Sequence, residues 1–205
     1  MKKAAYLWRK LTPKERTDLM AWRKRQGLPW HCPPHRAGEH TRYHLTAACF
    51  EHAPHVGFSG QRFEEFCLTL LNALAAQDAL IRAWCILPNH YHALVESRKI
   101  LEVLAELGRV HGRTSFEWNG EEKRRNRQVW CGAVERYIRN DAHFWATVNY
   151  IHHNPVRHGY VTRWQAWPFS SAQQYLSEVV RDFAEQKWRE YPVLDYGKGW
   201  DDPAL

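Results

Sequence analysis

The segment at residues 87–96 has the sequence Leu87-Pro88-Asn89-His90-Tyr91-His92-Ala93-Leu94-Val95-Glu96. Its apolar and β-branched residues are typical of a buried strand, and the Pro-Asn dipeptide indicates a turn before it. Alternate side chains of a strand share a face, so His90 and His92 are predicted to point the same way and Tyr91 the opposite way. Two neutral imidazoles side by side provide half of a divalent-metal site. The alternative is that each is a core histidine hydrogen-bonded to the protein.

The sequence around this segment predicts six elements of secondary structure. Strands are predicted over residues 42–50, 81–87, 90–97 and 128–138, and helices over residues 62–79 and 100–118. Apolar residues at three- and four-residue spacing indicate the helices, and β-branched and aromatic residues indicate the strands. The order β-α-β-β-α-β is typical of a ferredoxin-like α+β core, with a central antiparallel sheet and helices on one face. The uninterrupted apolar run at residues 81–87 also predicts a strand buried on both faces.

A third helix is predicted to follow this core. It is expected to begin at Asn140 or Asp141 and to end at Asn154, because a residue before proline disfavours the α conformation. Its apolar stripe consists of Phe144, Val148 and Ile151. With about 100° per residue, Tyr150 and Asn154 lie only about 40° apart and off this stripe. We therefore expect the phenol and the amide to face a partner other than the helix's own core.

Composition favours a basic, cytoplasmic protein with a polyanionic partner. The 205 residues include 29 Lys and Arg against 22 Asp and Glu, and the net charge of +7 favours a partner such as nucleic acid. The 11 Trp residues suit stacking on unpaired bases, although core packing accounts for most tryptophans in any chain. The 5 Cys residues include no Cys-X-X-Cys pair, which argues against a zinc ribbon or a disulfide framework. No apolar run approaches the roughly 18 residues of a membrane span, so no membrane partner is expected.

The chain is predicted to contain an extension, a catalytic domain and a tail. In the extension, Thr12 and Pro13 indicate a helix start, and the helix is expected to reach about residue 26. Its basic side chains either face water or contact phosphate. Residues 29–35 are interpreted as an irregular linker rather than a metal knuckle. The predicted boundaries are 1–40 for the N-terminal extension, 41–176 for the catalytic domain, and 177–205 for a tail packing on or near that domain.

These elements combine a histidine pair, a tyrosine, an amide and a basic chain. Such residue types support attack of a phenol on a phosphodiester, because a covalent tyrosine intermediate divides one difficult transfer into two easier ones. A cation held by the imidazoles would reduce the charge that develops on the phosphate. A phenol has a pKa of about 10 when unperturbed, so a nearby cation or base is needed before it attacks well.

Two stretches resemble a known family. Residues 87–96 resemble the His-hydrophobe-His motif of the single-tyrosine, single-strand transposases. The stretch YIHHNPVRHGYV at 150–161, followed by WPFSS at 167–171, is similar to the catalytic-helix signature of the branch called REP-associated tyrosine transposases. The resemblance covers roughly residues 40–176, and the order and separation of the two motifs make it specific.

The resemblance implies a role for each matching residue. His90 and His92 match metal ligands, Tyr150 matches the nucleophile, and Asn154 matches a third ligand. The implied metal is Mg²⁺ or Mn²⁺, and the implied substrate is single-stranded DNA beside hairpins such as REP elements. The implied chemistry is cutting and rejoining through a covalent 5′-phosphotyrosine. This chain departs from the family at Tyr91, where an aliphatic residue is usual, and we expect Tyr91 to pack in the core.

Further DNA contacts and the mode of assembly are also predicted. The candidate DNA-binding residues, each of which has a solvent-facing role as its alternative, are Arg124, Arg125, Arg127, Arg157, Arg163 and His153. Because the third helix is expected to end at Pro155 and the chain to turn back at Gly159, Tyr150 is expected to act in cis, in a monomer. Two other functions stay open: a catalytically quiet DNA-binding protein on the same fold, and a zinc hydrolase in which Tyr150 only binds substrate.

Overall fold

The computed structural model describes residues 12–25, 41–194 and 196, which belong to two compact units. The smaller unit, residues Met1–Arg36 with Gly197–Leu205, includes helix α1 (Pro13–Arg25). Thr12 caps α1 reciprocally: its Oγ1 accepts from the Glu15 N–H at 3.3 Å, and Glu15 Oε2 accepts from the Thr12 N–H at 2.7 Å. The predicted start of this helix is therefore confirmed. The linker predicted at 29–35 lies outside the described residues, and the domain boundaries at 40 and 176 stay a prediction.

The larger unit, Ala37–Tyr196, has a four-stranded antiparallel sheet of order β2-β3-β1-β4. Its strands are β1 (Arg42–Ala48), β2 (Leu80–Leu87), β3 (His90–Glu96) and β4 (Val134–Tyr137). Its helices are α2 (Gly60–Ala75), α3 (Ile100–Glu121), α4 (Asp141–Arg157), α5 (Ala172–Glu178) and α6 (Arg181–Glu190). This order confirms the predicted ferredoxin-like α+β fold, with a later helix that contains Tyr150.

The two faces of the sheet are covered by different helices. The face that contains Tyr91 packs against α2 and α3, where the Tyr91 ring contacts Phe66 and its hydroxyl lies 3.1 Å from His111 Nε2. The opposite face contains the histidine pair and packs against α4, which contacts β2 and β3. The expectation of helices on one face thus holds for α2 and α3 only, because α4 covers the other. Among the described helices, none is both long and apolar enough to cross a membrane.

Several predicted boundaries differ from the structure. Helix α4 continues through Pro155 to Arg157, so the prediction that Asn154 ends it is wrong. A proline in the last turn removes only one hydrogen bond, and the end is closed by the His158 N–H donating to the Asn154 carbonyl at 3.1 Å. Strand β4 begins at Val134, although Trp130 already pairs with Cys49 in an isolated bridge. Helix α2 ends at residue 75, four residues earlier than predicted.

Strand β2 is an edge strand, and the prediction that it is buried on both faces is wrong for its first half. Leu80 is 51% exposed, whereas residues 85–87 are fully buried. The second half is covered by the WPFSS segment, which lies along the free edge of the strand. The Ile86 N–H donates to the Phe169 carbonyl at 2.9 Å, and the Ser171 N–H donates to the Trp84 carbonyl at 3.0 Å. The WPFSS segment therefore covers a sheet edge that would otherwise be exposed.

Candidate active site

The histidine pair lies on β3, one of the two inner strands of the sheet. His90 and His92 both point to the face that α4 covers, and their ring centroids are 5.1 Å apart. Both are buried, at 1% and 0% exposed. Strand alternation places Tyr91 on the opposite face, as predicted. The structure therefore brings the two imidazoles together, in a part of the sheet that water does not reach.

Helix α4 places a phenol and an amide directly over this pair. The Tyr150 ring lies edge-on to His92 with centroids 5.2 Å apart. One helical turn later, Asn154 Oδ1 lies 3.1 Å from His90 Nε2. Both side chains are 0% exposed. The helical wheel thus placed Tyr150 and Asn154 correctly on one face, and that face packs tightly against the sheet.

The protonation of His90 follows from its neighbour in the Pro-Asn-His turn. Asn89 Nδ2 donates to the His52 carbonyl at 3.1 Å, and this bond orients Asn89 Oδ1 towards His90 Nδ1 at 2.7 Å. An amide oxygen only accepts, so Nδ1 of His90 must hold a proton. In the neutral ring the lone pair is therefore on Nε2, the nitrogen that faces Asn154.

This arrangement fits a bound cation. His90 Nε2 and Asn154 Oδ1 are both acceptors and lie 3.1 Å apart, a pairing that a cation between or beside them would stabilise. The Asn154 Nδ2 group is buried and has no hydrogen-bond partner among the described residues. In the described part of the chain, no group of three His, Cys, Asp or Glu side chains is placed to hold a metal ion, so the third donor to such a cation would be the Asn154 amide oxygen. The amide oxygen suits Mg²⁺ or Mn²⁺, and imidazole nitrogens suit first-row transition-metal ions.

The nucleophile candidate is covered on its outer side. The Tyr196 ring lies 5.3 Å from the Tyr150 ring, and the Tyr196 hydroxyl bonds to Thr147 Oγ1 at 2.6 Å and His143 Nε2 at 3.0 Å. Arg157 stands over the Tyr150 ring at 5.8 Å and donates to the Tyr196 carbonyl at 3.1 Å. A DNA strand that reaches Tyr150 must therefore displace these groups.

The predicted DNA-binding residues differ in their contacts and in their exposure to solvent. Arg125 donates to the Phe116 carbonyl and stacks on its ring, and Arg127 pairs with Glu122 at 2.7 Å. These two arginines therefore stabilise the C-terminal end of α3. His153 packs against Trp188 of α6 at 5.3 Å, and burial lowers its pKa. The candidates exposed to solvent are Arg124, Arg125, Arg157 and Arg163.

Three residues near the site were not found from the sequence. His44 of β1 is buried beside the pair, with its Nε2 3.1 Å from His92 Nδ1. Arg136 of β4 pairs opposite His44 and so lies on the same face. Ser171 fixes α4 to the sheet: its Oγ accepts from the Trp84 N–H at 2.9 Å and lies 2.9 Å from His152 Nε2. The WPFSS motif was the available signal for Ser171, and the sequence offered none for His44 or Arg136.

His152 is a structural residue of the helix. It is 2% exposed, stacks on Trp164 with the rings 9° from parallel, and bonds to Ser171. Burial lowers the pKa of its imidazole to about 3, so the ring is neutral at physiological pH. His158, by contrast, lies against His90 with ring centroids 5.0 Å apart. Of the three histidines around Tyr150 and Asn154, His158 is the one that contacts the metal-ligand candidates.

Several known proteins resemble this chain in sequence or in fold. No family model matches the chain. A REP-associated tyrosine transposase of Escherichia coli is 31% identical over 127 residues, which cover 58% of this chain and 67% of that protein. A protein of the same name from Haemophilus influenzae is 29% identical over 122 residues, covering 55% of this chain and 68% of the relative. A solved REP-associated tyrosine transposase bound to a REP hairpin shares the fold, with a TM-score of 0.55 and 18% identity over 70% of this chain and 84% of that one. The chain belongs to the family of REP-associated tyrosine transposases.

Proposed function

We propose that this protein is a metal-dependent endonuclease and strand transferase for single-stranded DNA, which acts beside hairpins such as REP elements. The observation that supports this most directly is the convergence of His90, His92, Asn154 and Tyr150 on one face of the sheet. The solved neighbour with a bound REP hairpin supports hairpin-containing DNA as the substrate. The net charge of +7 supports a polyanionic partner.

In the proposed first step, the Tyr150 hydroxyl oxygen attacks the phosphorus of a phosphodiester. A bond forms between that oxygen and phosphorus, and the bond from phosphorus to the 3′ oxygen breaks. The phenol loses its proton, and the leaving 3′ oxygen gains one. The product is a 5′-phosphotyrosine and a free 3′ hydroxyl. In the second step a 3′ hydroxyl attacks the same phosphorus, and Tyr150 leaves and regains its proton. No hydrolysis is required, because bond energy is conserved in the phosphotyrosine.

The residues proposed to hold Mg²⁺ or Mn²⁺ are His90, His92 and Asn154. When bound there, such a cation would polarise a non-bridging phosphate oxygen and offset the charge of the transition state. Asn89 supports this role by fixing the proton of His90 on Nδ1. Arg157 is proposed to contact a neighbouring phosphate, and its position over the Tyr150 ring supports this.

The proposal is tested by covalent trapping. A labelled hairpin oligonucleotide with a single-stranded flank is incubated with the full chain and Mn²⁺, and protein-bound label is measured after denaturation. We expect an adduct with the unaltered protein, none with Tyr150→Phe, and none with His92→Ala. Tyr137→Phe is the matched control, because Tyr137 is 44% exposed and lies on the opposite face of the sheet from His44.

Two other results would each refute the proposal. Salt-sensitive DNA binding with no adduct at any metal concentration would indicate a catalytically quiet DNA-binding protein. Cleavage that survives Tyr150→Phe would indicate a metal-dependent hydrolase.

We further propose that Tyr150 acts in cis and that a monomer suffices. The support is that Tyr150 contacts His92 of its own chain. A mixture of Tyr150→Phe and His92→Ala proteins would then remain inactive. Recovery of the adduct in that mixture would show that the tyrosine acts on a second copy.

A further inference from the structure

We propose that His44 is a positioning residue for His92: it accepts a hydrogen bond from His92 Nδ1 and so leaves Nε2 of His92 with its lone pair available to the cation. The inference rests on the proposed function, because it assumes that His92 is a metal ligand. It adds a residue of β1 to a site otherwise formed by β3 and α4.

The register of the sheet places His44 beside the histidine pair. In the β1–β3 pairing, Thr46 is opposite His92 and His44 is opposite Leu94, so the histidine face of β3 continues onto the even-numbered residues of β1. His44 is only 2% exposed, and its ring centroid is 5.1 Å from that of His92. Its Nε2 lies 3.1 Å from His92 Nδ1, which is hydrogen-bonding distance.

Proton counting then defines what each ring can do. Two neutral imidazoles joined through one hydrogen bond share a single proton between the facing nitrogens. If His44 Nε2 holds that proton, His92 must hold its own proton on Nε2, and this nitrogen cannot bind a cation. If His92 Nδ1 holds it, His92 Nε2 has a lone pair. Only the second arrangement allows metal binding, and it requires His44 Nε2 to be the acceptor.

The two metal-ligand candidates are then supported in the same way by different residues. His90 Nδ1 donates to Asn89 Oδ1 at 2.7 Å, and His92 Nδ1 donates to His44 Nε2. Ligating histidines in proteins commonly donate their second N–H to a fixed acceptor, which orients the ring and selects its tautomer. His44 also contacts the Tyr150 ring, edge-on at 5.9 Å, while its Nε2 is within hydrogen-bonding distance of His92. The positioning role is therefore assigned to the metal ligand.

The test compares Mn²⁺ binding by the full chain, without DNA, in the unaltered protein and in His44→Phe and His44→Gln. Binding is measured by the loss of the free Mn²⁺ signal in electron paramagnetic resonance. We expect His44→Phe, which retains a ring but has no acceptor, to bind Mn²⁺ about 10- to 100-fold more weakly. His44→Gln retains an acceptor oxygen and should recover most of the affinity.

A second measurement follows the tautomer itself. The ¹⁵N shifts of the His92 ring in the metal-free protein should show the proton on Nδ1 in the unaltered chain and in His44→Gln. In His44→Phe both neutral tautomers of His92 should be populated, one with the proton on Nδ1 and the other with it on Nε2. His111→Phe is the matched control, because it also removes a buried histidine that bonds to another side chain, but on the opposite face of the sheet. It should leave Mn²⁺ affinity and the His92 tautomer unchanged.

Several results would overturn the inference. Mn²⁺ affinity within twofold of the unaltered value in His44→Phe would do so, as would an equal loss of affinity in His44→Phe and His44→Gln. An equal loss in His111→Phe would show that packing alone is responsible. Failure of the proposed metal site is separately visible, because His92→Ala would then bind Mn²⁺ as well as the unaltered protein.

Discussion

Replacing His111 with phenylalanine is expected to change how stability depends on pH. Burial lowers the pKa of His111 to about 4, against 6.5 for an exposed imidazole. The folded state thus binds a proton less readily than the unfolded state, so the contribution is complete above about pH 6.5 and is lost as the pH falls towards 4. Integration between pH 7.5 and pH 5 gives a loss of about 2 kcal/mol from this one residue. His111→Phe should lose about 2 kcal/mol less over that interval.

The same substitution has a cost that does not depend on pH. The Tyr91 hydroxyl is buried, and burial raises its pKa, so it stays protonated and can donate to His111 Nε2, which lies 3.1 Å away. Removing the acceptor should cost about 1–3 kcal/mol at pH 7.5, while the phenyl ring retains stacking on Trp130. The variant should therefore be less stable than the unaltered protein at pH 7.5 and nearly equal to it at pH 5.

Urea unfolding at the two pH values measures both effects. Adding Tyr91→Phe to His111→Phe serves as the control, because replacing both partners removes the unsatisfied hydroxyl. The double variant should regain stability at pH 7.5 and keep the weaker pH dependence. If His111→Phe loses as much stability between pH 7.5 and pH 5 as the unaltered protein, burial does not lower the pKa of His111 and the expected pH dependence is refuted.

Three further substitutions test contacts around the sheet. Arg62→Met removes a buried guanidinium that bonds to Glu122 at 2.8 Å, but Arg127 still pairs with Glu122. Urea unfolding should therefore show a loss of about 2 kcal/mol in the free energy of unfolding, rather than the roughly 3–5 kcal/mol expected when an isolated buried pair is broken. Ser171→Ala leaves the Trp84 N–H and the His152 ring without this partner, and should cost about 2 kcal/mol in the same assay. Gly57→Ala would place a Cβ 2.6 Å from Pro88 Cβ, so it should displace the turn before His90, cost about 1–3 kcal/mol and weaken Mn²⁺ binding. Changes below about 0.5 kcal/mol would contradict each assignment.

Local periodicity was sufficient to predict the histidine face of β3. A strand repeats every two residues, so the separation of His90 and His92 from Tyr91 needs no knowledge of the neighbouring strands. The helical repeat similarly placed Tyr150 and Asn154 together. Both predictions depend only on residues within one element, and both agree with the structure.

Predictions that depended on contacts between distant segments were less accurate. The apolar composition of residues 81–87 indicated burial, but not that β2 would be an edge strand covered in its second half by residues 167–171. The prediction that the proline ends α4 was wrong, because Pro155 costs only one hydrogen bond in the last turn. Burial of Thr147, Ile151 and His152 on the same helix offsets that loss. Tertiary packing overrode the local signal in each case.

His44 shows why the support of the site could not be predicted. In the sequence it is one histidine among the β-forming residues of strand β1, and its neighbours there give no sign of a polar partner. Its contact with His92 exists only because Thr46, and not residue 45 or 47, pairs with His92. A shift of the pairing by one residue would turn His44 to the face covered by α2 and α3 and put Leu45 beside the histidine pair. The register that buries Tyr43, Leu45 and Ala47 on the α2 and α3 side is therefore also the one that brings an acceptor to His92, so core packing and metal-ligand geometry are selected by the same strand pairing.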